Sequence, residues 1–296
     1  MTTLLVTGGA GFIGSNFIKY YLENHKKDNI INLDKLTYAA NKNNLKGVEK
    51  SRHKFVEGDI CDSALVDKLS KKAETIVNFA AESHVDRAIK SAENFIKTNI
   101  YGTYVLLEAA RRNKITKFIQ ISTDEVYGEI QNGKASETFG LNPGNPYSAS
   151  KASADLLALS YYNTYRLPVM ITRTCNNFGP YQNNEKLIPF FITNLMQNKK
   201  MPLYGDGQNI REWIYVLDNC EAIDFIMKRG KTGEIYNIGT GVLKKNIEVA
   251  KFLIKAFGRD DLPGTQPKKP YAVYLRAFWQ RISEQGERHS YFSRAD

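Results

Sequence analysis

Leu4-Leu5-Val6-Thr7-Gly8-Gly9-Ala10-Gly11-Phe12-Ile13-Gly14 is the stretch whose reading decides the fold. The apolar run reads as a short buried strand and the glycines as a tight turn. Phe12, Ile13, Phe17, Ile18 and Leu22 then recur at helical spacing to about Asn24. Strand, glycine turn and helix start stand in the order of a dinucleotide site, where glycines let the backbone approach a pyrophosphate and the helix N-terminus offers unpaired N–H groups. The next strand, Ile30-Ile31-Asn32-Leu33, ends in Asp34, 20 residues beyond Gly14. A carboxylate there accepts both adenosine-ribose hydroxyls and repels a 2′-phosphate, so NAD is expected rather than NADP. Lys35 beside it softens that preference, and Asp34 also reads as a turn residue.

Further strand-like runs follow at Lys54–Glu57 before Gly58-Asp59-Ile60, and at Thr75–Phe79 before Ala80-Ala81-Glu82-Ser83. Others are Lys117–Ile121 and Val169–Thr172. Helical patterns lie between them, notably Ala92 to Arg112 and a run beginning near Tyr147. The alternation predicts an α/β protein, a Rossmann-type doubly wound parallel sheet with a smaller, mixed C-terminal substrate lobe. The main domain is expected over 1–173, returning to the sheet at about 213–240 through Trp213–Val216, a helix from Asp218, and Ile235–Ile238. The substrate lobe takes 174–212 and 241–261, with Asn176–Pro180 as loop and Leu187 to Leu195 as helix. From Leu262 to Asp296 periodicity is lost apart from Tyr274 to Ile282, which reads as an atypical, disordered or altered tail.

The chemistry concentrates at Ser122-Thr123-Asp124-Glu125-Val126-Tyr127-Gly128 and Tyr147-Ser148-Ala149-Ser150-Lys151. The first follows a strand, which puts hydroxyls and two carboxyl groups at the ligand edge of an open sheet. In the second, Tyr147 and Lys151 share one helix face. An ammonium near a phenol with an ordinary pKa of about 10 favours the phenolate and makes it a usable base. Taken alone, the two acids also read as exposed loop residues, Tyr147 and Lys151 as helix surface and Asp59 as a loop acid; His84 and Asp86 read as candidate ligands, with a satisfied structural histidine as the alternative.

At 296 residues the chain exceeds the common domain size of about 100–150 and, with 42% apolar residues, has material for a sizeable core. No run approaches the roughly 18 apolar residues that span a bilayer, and no basic leader is seen, so a soluble, cytoplasmic protein with no membrane partner is expected. Cys61, Cys175 and Cys220 are far apart and odd in number, and four scattered histidines lack ligand spacing, so neither a disulfide framework nor a metal is expected. The net charge of +10 is spread over pairs such as Lys26-Lys27 and Lys71-Lys72 rather than gathered in a stripe, which argues against nucleic acid and leaves an anionic small molecule compatible. The two long helical patterns carry more apolar residues than one sheet face uses, which predicts a helix-to-helix homodimer contact.

The glycine loop, Asp34, the Ser122–Gly128 stretch and the Tyr147/Lys151 pair together resemble the extended short-chain dehydrogenase/reductase family. Asp124-Glu125, Asn176–Tyr181 and Glu185–Pro189 are most similar to its dTDP-glucose 4,6-dehydratase group, over roughly residues 2 to 261. The resemblance implies a nucleotide-sugar substrate, NAD as cofactor, and conversion of dTDP-glucose to a 4-keto-6-deoxy sugar and water. It implies catalytic roles for Thr123, Asp124, Glu125, Tyr147 and Lys151. Tyr147 would take the 4-hydroxyl proton with Thr123 holding the oxygen, Glu125 the C5 proton, and Asp124 would protonate the departing 6-hydroxyl. Cofactor contacts fall on Gly8, Gly11, Phe12, Ile13, Gly14, Asp34, Lys35, Thr37, Asp59, Ile60, Ala80, Ala81, Ser83, Thr98, Tyr147, Lys151 and Asn177. Substrate contacts fall on Ser83, Thr123, Asn176, Lys186, Leu187, Pro202, Tyr204, Arg211 and Asn246; Lys186 and Arg211 suit a diphosphate because it wants cationic donors. The stretch beyond Leu262 departs from the family pattern, which there supplies a further grip on the diphosphate. The competing readings are a nucleotide-sugar 4-epimerase or decarboxylase, which has no need of Asp124 as acid, and a non-catalytic NAD-binding protein.

Overall fold

The computed structural model describes residues 1–131, 133–203 and 205–258; the expected tail at 262–296 and Tyr204 lie outside the described residues. Ten strands are seen among these: β1 (Thr3–Thr7), β2 (Asn29–Asp34), β3 (His53–Glu57), β4 (Thr75–Asn78), β5 (Lys117–Thr123), β6 (Val169–Thr174), β7 (Asn176–Phe178), β8 (Ile210–Tyr215), β9 (Ile235–Ile238) and β10 (Leu243–Lys245). The chain divides into two compact units, one holding 1–174 and 220–238, the other 175–219 and the described residues from 239.

The first unit is built on a seven-stranded sheet in the order β3-β2-β1-β4-β5-β6-β9. Every pairing in it is parallel. Parallel strands covered on both faces are near-continuous apolar runs, and Leu4, Leu5 and Val6 of β1 are fully buried, as are Ile76 and Val77 of β4 and Phe118 and Ile119 of β5. Reversal of strand order beside β1 makes a topological switch point at the carboxyl ends of β1 and β4, where ligands of such sheets bind.

Helices Phe12–Asn24, Ser63–Ser70, Thr103–Arg112 and Pro146–Tyr165 connect these strands. Leu106, Leu107 and Ala110 of the third and Ala158 and Tyr161 of the fourth bury into one core with Leu5, Ile31, Leu33 and Phe118. Each large side chain so enclosed contributes roughly 1.5–3 kcal/mol. The Pro146–Tyr165 helix starts firmly: Asn145 caps it by accepting from Ser148 N, Ser148 Oγ accepts from Asn145 N in return, and Pro146 takes the first turn, where a missing N–H costs nothing. The pattern expected from Ala92 to Arg112 is not one regular helix. Residues Ile96–Gly102 widen into a π-helical segment before Thr103.

The second unit has its own core, in which Phe178, Ile188, Phe191, Leu195, Trp213, Val249 and Leu253 are buried together. Its three-stranded sheet runs β10-β8-β7. Two expectations are corrected here. Asn176–Phe178 is not loop but strand β7, pairing parallel with β8. Trp213–Tyr215 does not rejoin the main sheet; it belongs to β8, held between β7 and antiparallel β10. Trp213 and Tyr215 pack their rings against Phe178, so the strand's apolar side is used within the smaller unit. The return to the main sheet is made by β9 alone, which lies against β6. Among the described residues no helix is long and apolar enough to cross a membrane, and no cluster of three or more His, Cys, Asp or Glu is placed to hold a metal.

Candidate active site

The expected cofactor contacts of the first unit gather at the carboxyl ends of β1 to β5. Gly8 leaves β1 with φ +70°, donates its N–H to Leu33 O at 2.9 Å, and packs so closely on the end of β4 that a Cβ would lie 2.6 Å from Ala80 N. A Cβ on Gly14 would lie 2.4 Å from Gly8 O. The helix that follows begins at Phe12 with neither a side-chain cap nor an acid in its first turn, so its leading N–H groups stay open to an anion. Backbone this close, at a helix start, fits a pyrophosphate.

Asp34 ends β2 and is 6% exposed. Its Oδ2 accepts from Ala10 N and its Oδ1 from Leu36 N, both at 2.8 Å. Burial pushes its carboxyl pKa up, and the two N–H groups pull it back. Each oxygen keeps a lone pair, so the carboxylate can tie the glycine loop in place and still receive ribose hydroxyls. Lys35 pairs with Asp59 at 2.7 Å, and Asp59 also accepts from Cys61 N at 2.9 Å. The lysine beside Asp34 is thus turned toward another acid, and Asp59 is no solitary loop carboxylate. Ile60 is buried under the π-helical segment, where a Cβ on Gly102 would lie 2.5 Å from its Cδ1; Thr98 sits in that segment, half-buried. Thr37, Ala81 and Ser83 are also half-buried, in the loops after β2 and β4.

At the end of β5, Thr123 caps a short 3₁₀ turn, Asp124–Tyr127, accepting from Glu125 N at 3.2 Å. The same hydroxyl donates to Asp124 Oδ1 at 3.2 Å, while Asn145 Nδ2 donates to Glu125 Oε2 at 3.5 Å. Tyr147 stands edge-on to Phe95 at a centroid distance of 6.4 Å. Burial holds its phenol far above the ordinary value, the carboxyl groups of Glu125 and Asp124 add to that, and a hydrogen bond with Thr123 works against it. Thr123, both acids and Tyr147 therefore meet in one place. Lys151 does not simply lower the phenol. It is 4% exposed, its Nζ donates to Ile121 O at 2.6 Å, and burial draws its own pKa down to about 8 against the pull of Asp155.

The second unit carries the remaining expected contacts. Asn176 Nδ2 donates to Glu212 O at 3.2 Å, and Asn177 Nδ2 donates to Cys175 O at 3.0 Å. Lys186 and Leu187 open the helix Leu187–Met196, which packs on the helix Asn246–Ala256. Arg211 on β8 is opposite Lys244 on β10, a strand that runs directly into the helix beginning at Asn246, whose Oδ1 is buried with no hydrogen-bond partner among the described residues. Arg211 is exposed and its Nη1 donates to Ile210 O at 2.9 Å. Pro202 lies on an exposed loop of the same unit.

The model of the family described as GDP-mannose 4,6 dehydratase matches residues 5–279. The chain belongs to that family. The match runs past Asp261 into the stretch read as atypical. Family members similar to this chain include the low-salt glycan biosynthesis protein Agl12 of Haloferax volcanii, 57% identical over 86% of this chain and 82% of that one. The dTDP-glucose 4,6-dehydratase of Streptomyces niveus is 47% identical over 90% of this chain and 81% of its own. Among solved structures, that of DesIV, a dTDP-glucose 4,6-dehydratase from Streptomyces venezuelae with NAD and TYD bound, superposes with a TM-score of 0.86 at 42% identity. It covers 95% of this chain and 98% of that one.

Several polar residues around this family site are not singled out by the sequence reading. Asn99 joins three elements: its Oδ1 accepts from Glu82 N at 2.9 Å, and its Nδ2 donates to Glu82 O at 3.0 Å and Ser150 Oγ at 2.8 Å. Asn145 reaches Glu125, and Asp155 and Arg173 form a buried pair at 3.0 Å. A carboxylate four residues beyond Lys151, among Ala152, Ala154 and Ala158, is a signal that was there to read; for Asn99, inside a π-helical turn, no local pattern announces the role.

Proposed function

We propose that this chain is an NAD-dependent dTDP-glucose 4,6-dehydratase that makes a 4-keto-6-deoxy sugar and water. The observation that carries the reading is the meeting of Tyr147 with both Asp124 and Glu125 at the end of β5, since oxidation at C4 needs a base and elimination across C5–C6 needs a second base and an acid. Bound NAD supplies the acceptor and later the donor of the hydride. Its proposed holders are the glycine loop with Phe12 and Ile13, Asp34, Lys35, Thr37, Asp59, Ile60, Ala80, Ala81, Ser83, Thr98 and Asn177.

In the proposed sequence Tyr147 takes the proton of the sugar 4-hydroxyl, and Thr123 holds that oxygen as it becomes a carbonyl. The ketone acidifies the neighbouring C5–H. Glu125 removes this proton, and Asp124 protonates the departing 6-hydroxyl, so one water leaves; C6 would then regain the hydride and C5 a proton, which gives the 4-keto-6-deoxy sugar. Lys151 supplies positive charge against the Tyr147 phenolate. Ser83, Asn176, Lys186, Leu187, Pro202, Tyr204, Arg211 and Asn246 are the proposed substrate contacts. Lys186 and Arg211 bring two cationic groups for the diphosphate, to which a guanidinium can bond in bidentate fashion.

Incubation with dTDP-glucose and NAD should yield the 4-keto-6-deoxy product, read by its alkali-induced absorbance and by mass loss of one water. Asp124→Asn and Glu125→Gln should each cut turnover by about 10²–10⁴-fold while NAD binding persists. An epimerised sugar with no dehydration, or NAD binding with no turnover of any sugar nucleotide, would refute the assignment.

A homodimer is proposed as well. Ile96, Tyr101, Tyr104, Leu156 and Tyr165 are 42–57% exposed on the helical run from residue 96 and on the Pro146–Tyr165 helix, which pack on each other. Such an apolar surface suits a second copy. The proposed compartment is cytoplasmic, in keeping with three free thiols.

A further inference from the structure

Lys151, Asp155 and Arg173 are 4%, 0% and 2% exposed, so two basic side chains and one acidic one are buried here. A buried ammonium with only neutral partners tends to shed its proton. The carbonyl of Ile121 orients Lys151 at 2.6 Å and brings no charge. Asp155 lies one turn further along the same helix, on the same face. Its Oδ2 accepts from Ser122 Oγ and from Arg173 Nε, each at 3.0 Å. Consecutive residues of β5 therefore grip both groups, Ile121 the lysine and Ser122 the carboxylate, immediately before Thr123.

Arg173 is in turn satisfied elsewhere. Its Nη1 donates to Tyr127 OH at 3.0 Å, its guanidinium carbon stands 4.8 Å from the centre of the Tyr127 ring, and Tyr127 OH donates to Asn237 Oδ1 at 2.7 Å. With all three ionised the cluster carries one net positive charge, the amount that a phenolate on Tyr147 neutralises. Without Asp155 two cations would share the space, and Lys151, the one able to lose its proton, would do so.

We propose that Asp155 is a positioning residue of the reaction: anchored by Ser122 and Arg173, it keeps Lys151 in the charged form that Tyr147 requires. The proposal rests on the reading of Tyr147 as base given above. The charged group bearing on Lys151 is Asp155 on its own helix; Arg173 on β6 bears on Asp155, Tyr127 of the 3₁₀ turn is bonded to Arg173, and Asp124 and Glu125 bear on Tyr147, which shares a helix face with Lys151. Burial draws the carboxyl of Asp155 upward, and Arg173, Lys151 and Ser122 oppose that rise.

The test follows the ¹³Cε resonance of Lys151 in the full chain labelled with ¹³C-lysine, identified by its loss in Lys151→Met. The wild-type midpoint is expected near about 8. In Asp155→Asn it should fall by about one to two pH units, and Asp155→Glu should recover most of the shift. Asp155→Asn/Arg173→Gln, which leaves no unpaired guanidinium, should also titrate below wild type. In turnover of dTDP-glucose, the alkaline limb of kcat should move acidward in Asp155→Asn with KM little changed. An unmoved Lys151 midpoint overturns the proposal, as does a uniform loss of kcat with an unmoved limb. A wild-type midpoint below neutral pH also overturns it, whether or not the variants fold. If the wild-type chain dehydrates no sugar nucleotide while the midpoint shifts as expected, the dehydratase reading fails and the hold of Asp155 on Lys151 stands.

Discussion

Gly8→Ala puts the glycine turn to a quantitative test. Gly8 has φ +70°, where a Cβ costs about 1–2 kcal/mol in backbone strain. The new methyl would also lie 2.6, 2.7 and 2.8 Å from Ala80 N, Ala80 Cα and Phe79 C, all backbone atoms at the end of β4. Real contacts of this kind start at 3.0 Å, so the loop and the strand end must part by at least 0.4 Å, the difference from 2.6. Overpacking of this sort costs about 1–3 kcal/mol more. The two terms together give a loss of roughly 2–5 kcal/mol, within a total stability of about 5–15, so the variant should fold. Gly47→Ala is the matched control, with φ +84° and nothing within 4 Å of its added Cβ. Urea unfolding followed by circular dichroism should show the control losing the strain alone and Gly8→Ala losing clearly more. Calorimetric titration with NAD should find affinity reduced at least about tenfold in Gly8→Ala, because the same backbone shift of the turn misplaces the N–H groups. Equal losses of stability in the two variants would refute the clash, and wild-type affinity for NAD in Gly8→Ala would refute the turn as the pyrophosphate cradle.

Asn99→Ala removes three hydrogen bonds and strands the N–H and C=O of Glu82, so it should cost about 2–4 kcal/mol by urea unfolding, and a loss under 1 would show that the π-helical turn is held by packing. Lys151→Met bears on pH. The pKa of Lys151 is about 8 in the folded chain and 10.5 when unfolded, so between these values the unfolded state binds the extra proton and stability rises with pH. Lys151→Met lacks this slope and removes a buried charge; its stability advantage over wild type should be largest below pH 8 and shrink toward pH 10, with turnover abolished throughout. A constant difference across that range would show that Lys151 titrates alike in both states. Leu156→Glu, at a position 57% exposed, should halve the mass measured by analytical ultracentrifugation, and an unchanged mass would place any dimer contact elsewhere.

What could be read from the residues was whatever depends on local order. The glycine turn, Asp34 and the strand ends after Glu57, Asn78 and Ile121 were legible because a buried parallel strand is a short apolar run and its functional residues follow at once. Trp213–Tyr215 was misplaced for the same reason. Its apolar pattern says strand, and only the partners, β7 and β10, say which sheet. The acid at 59 and the lysine at 35 read as separate signals, yet, 24 residues apart, they lie just beyond the ends of the adjacent strands β3 and β2 and end as one ion pair.

Tyr147 and Lys151 show where such reading stops. Their spacing puts them on one face of a helix, and an ammonium beside a phenol in water would suffice to make the base. In the folded chain both groups lose solvent, and burial favours the neutral form of each, raising the phenol and lowering the amine. The pair becomes competent only if another charge offsets that cost; the one that favours the ammonium is Asp155 on the next turn, itself held by Arg173 on a strand 22 residues beyond Lys151. The requirement for a third and a fourth residue follows from the electrostatics of burial, which no spacing rule contains, and it is why the motif alone underdetermines the chemistry of this site.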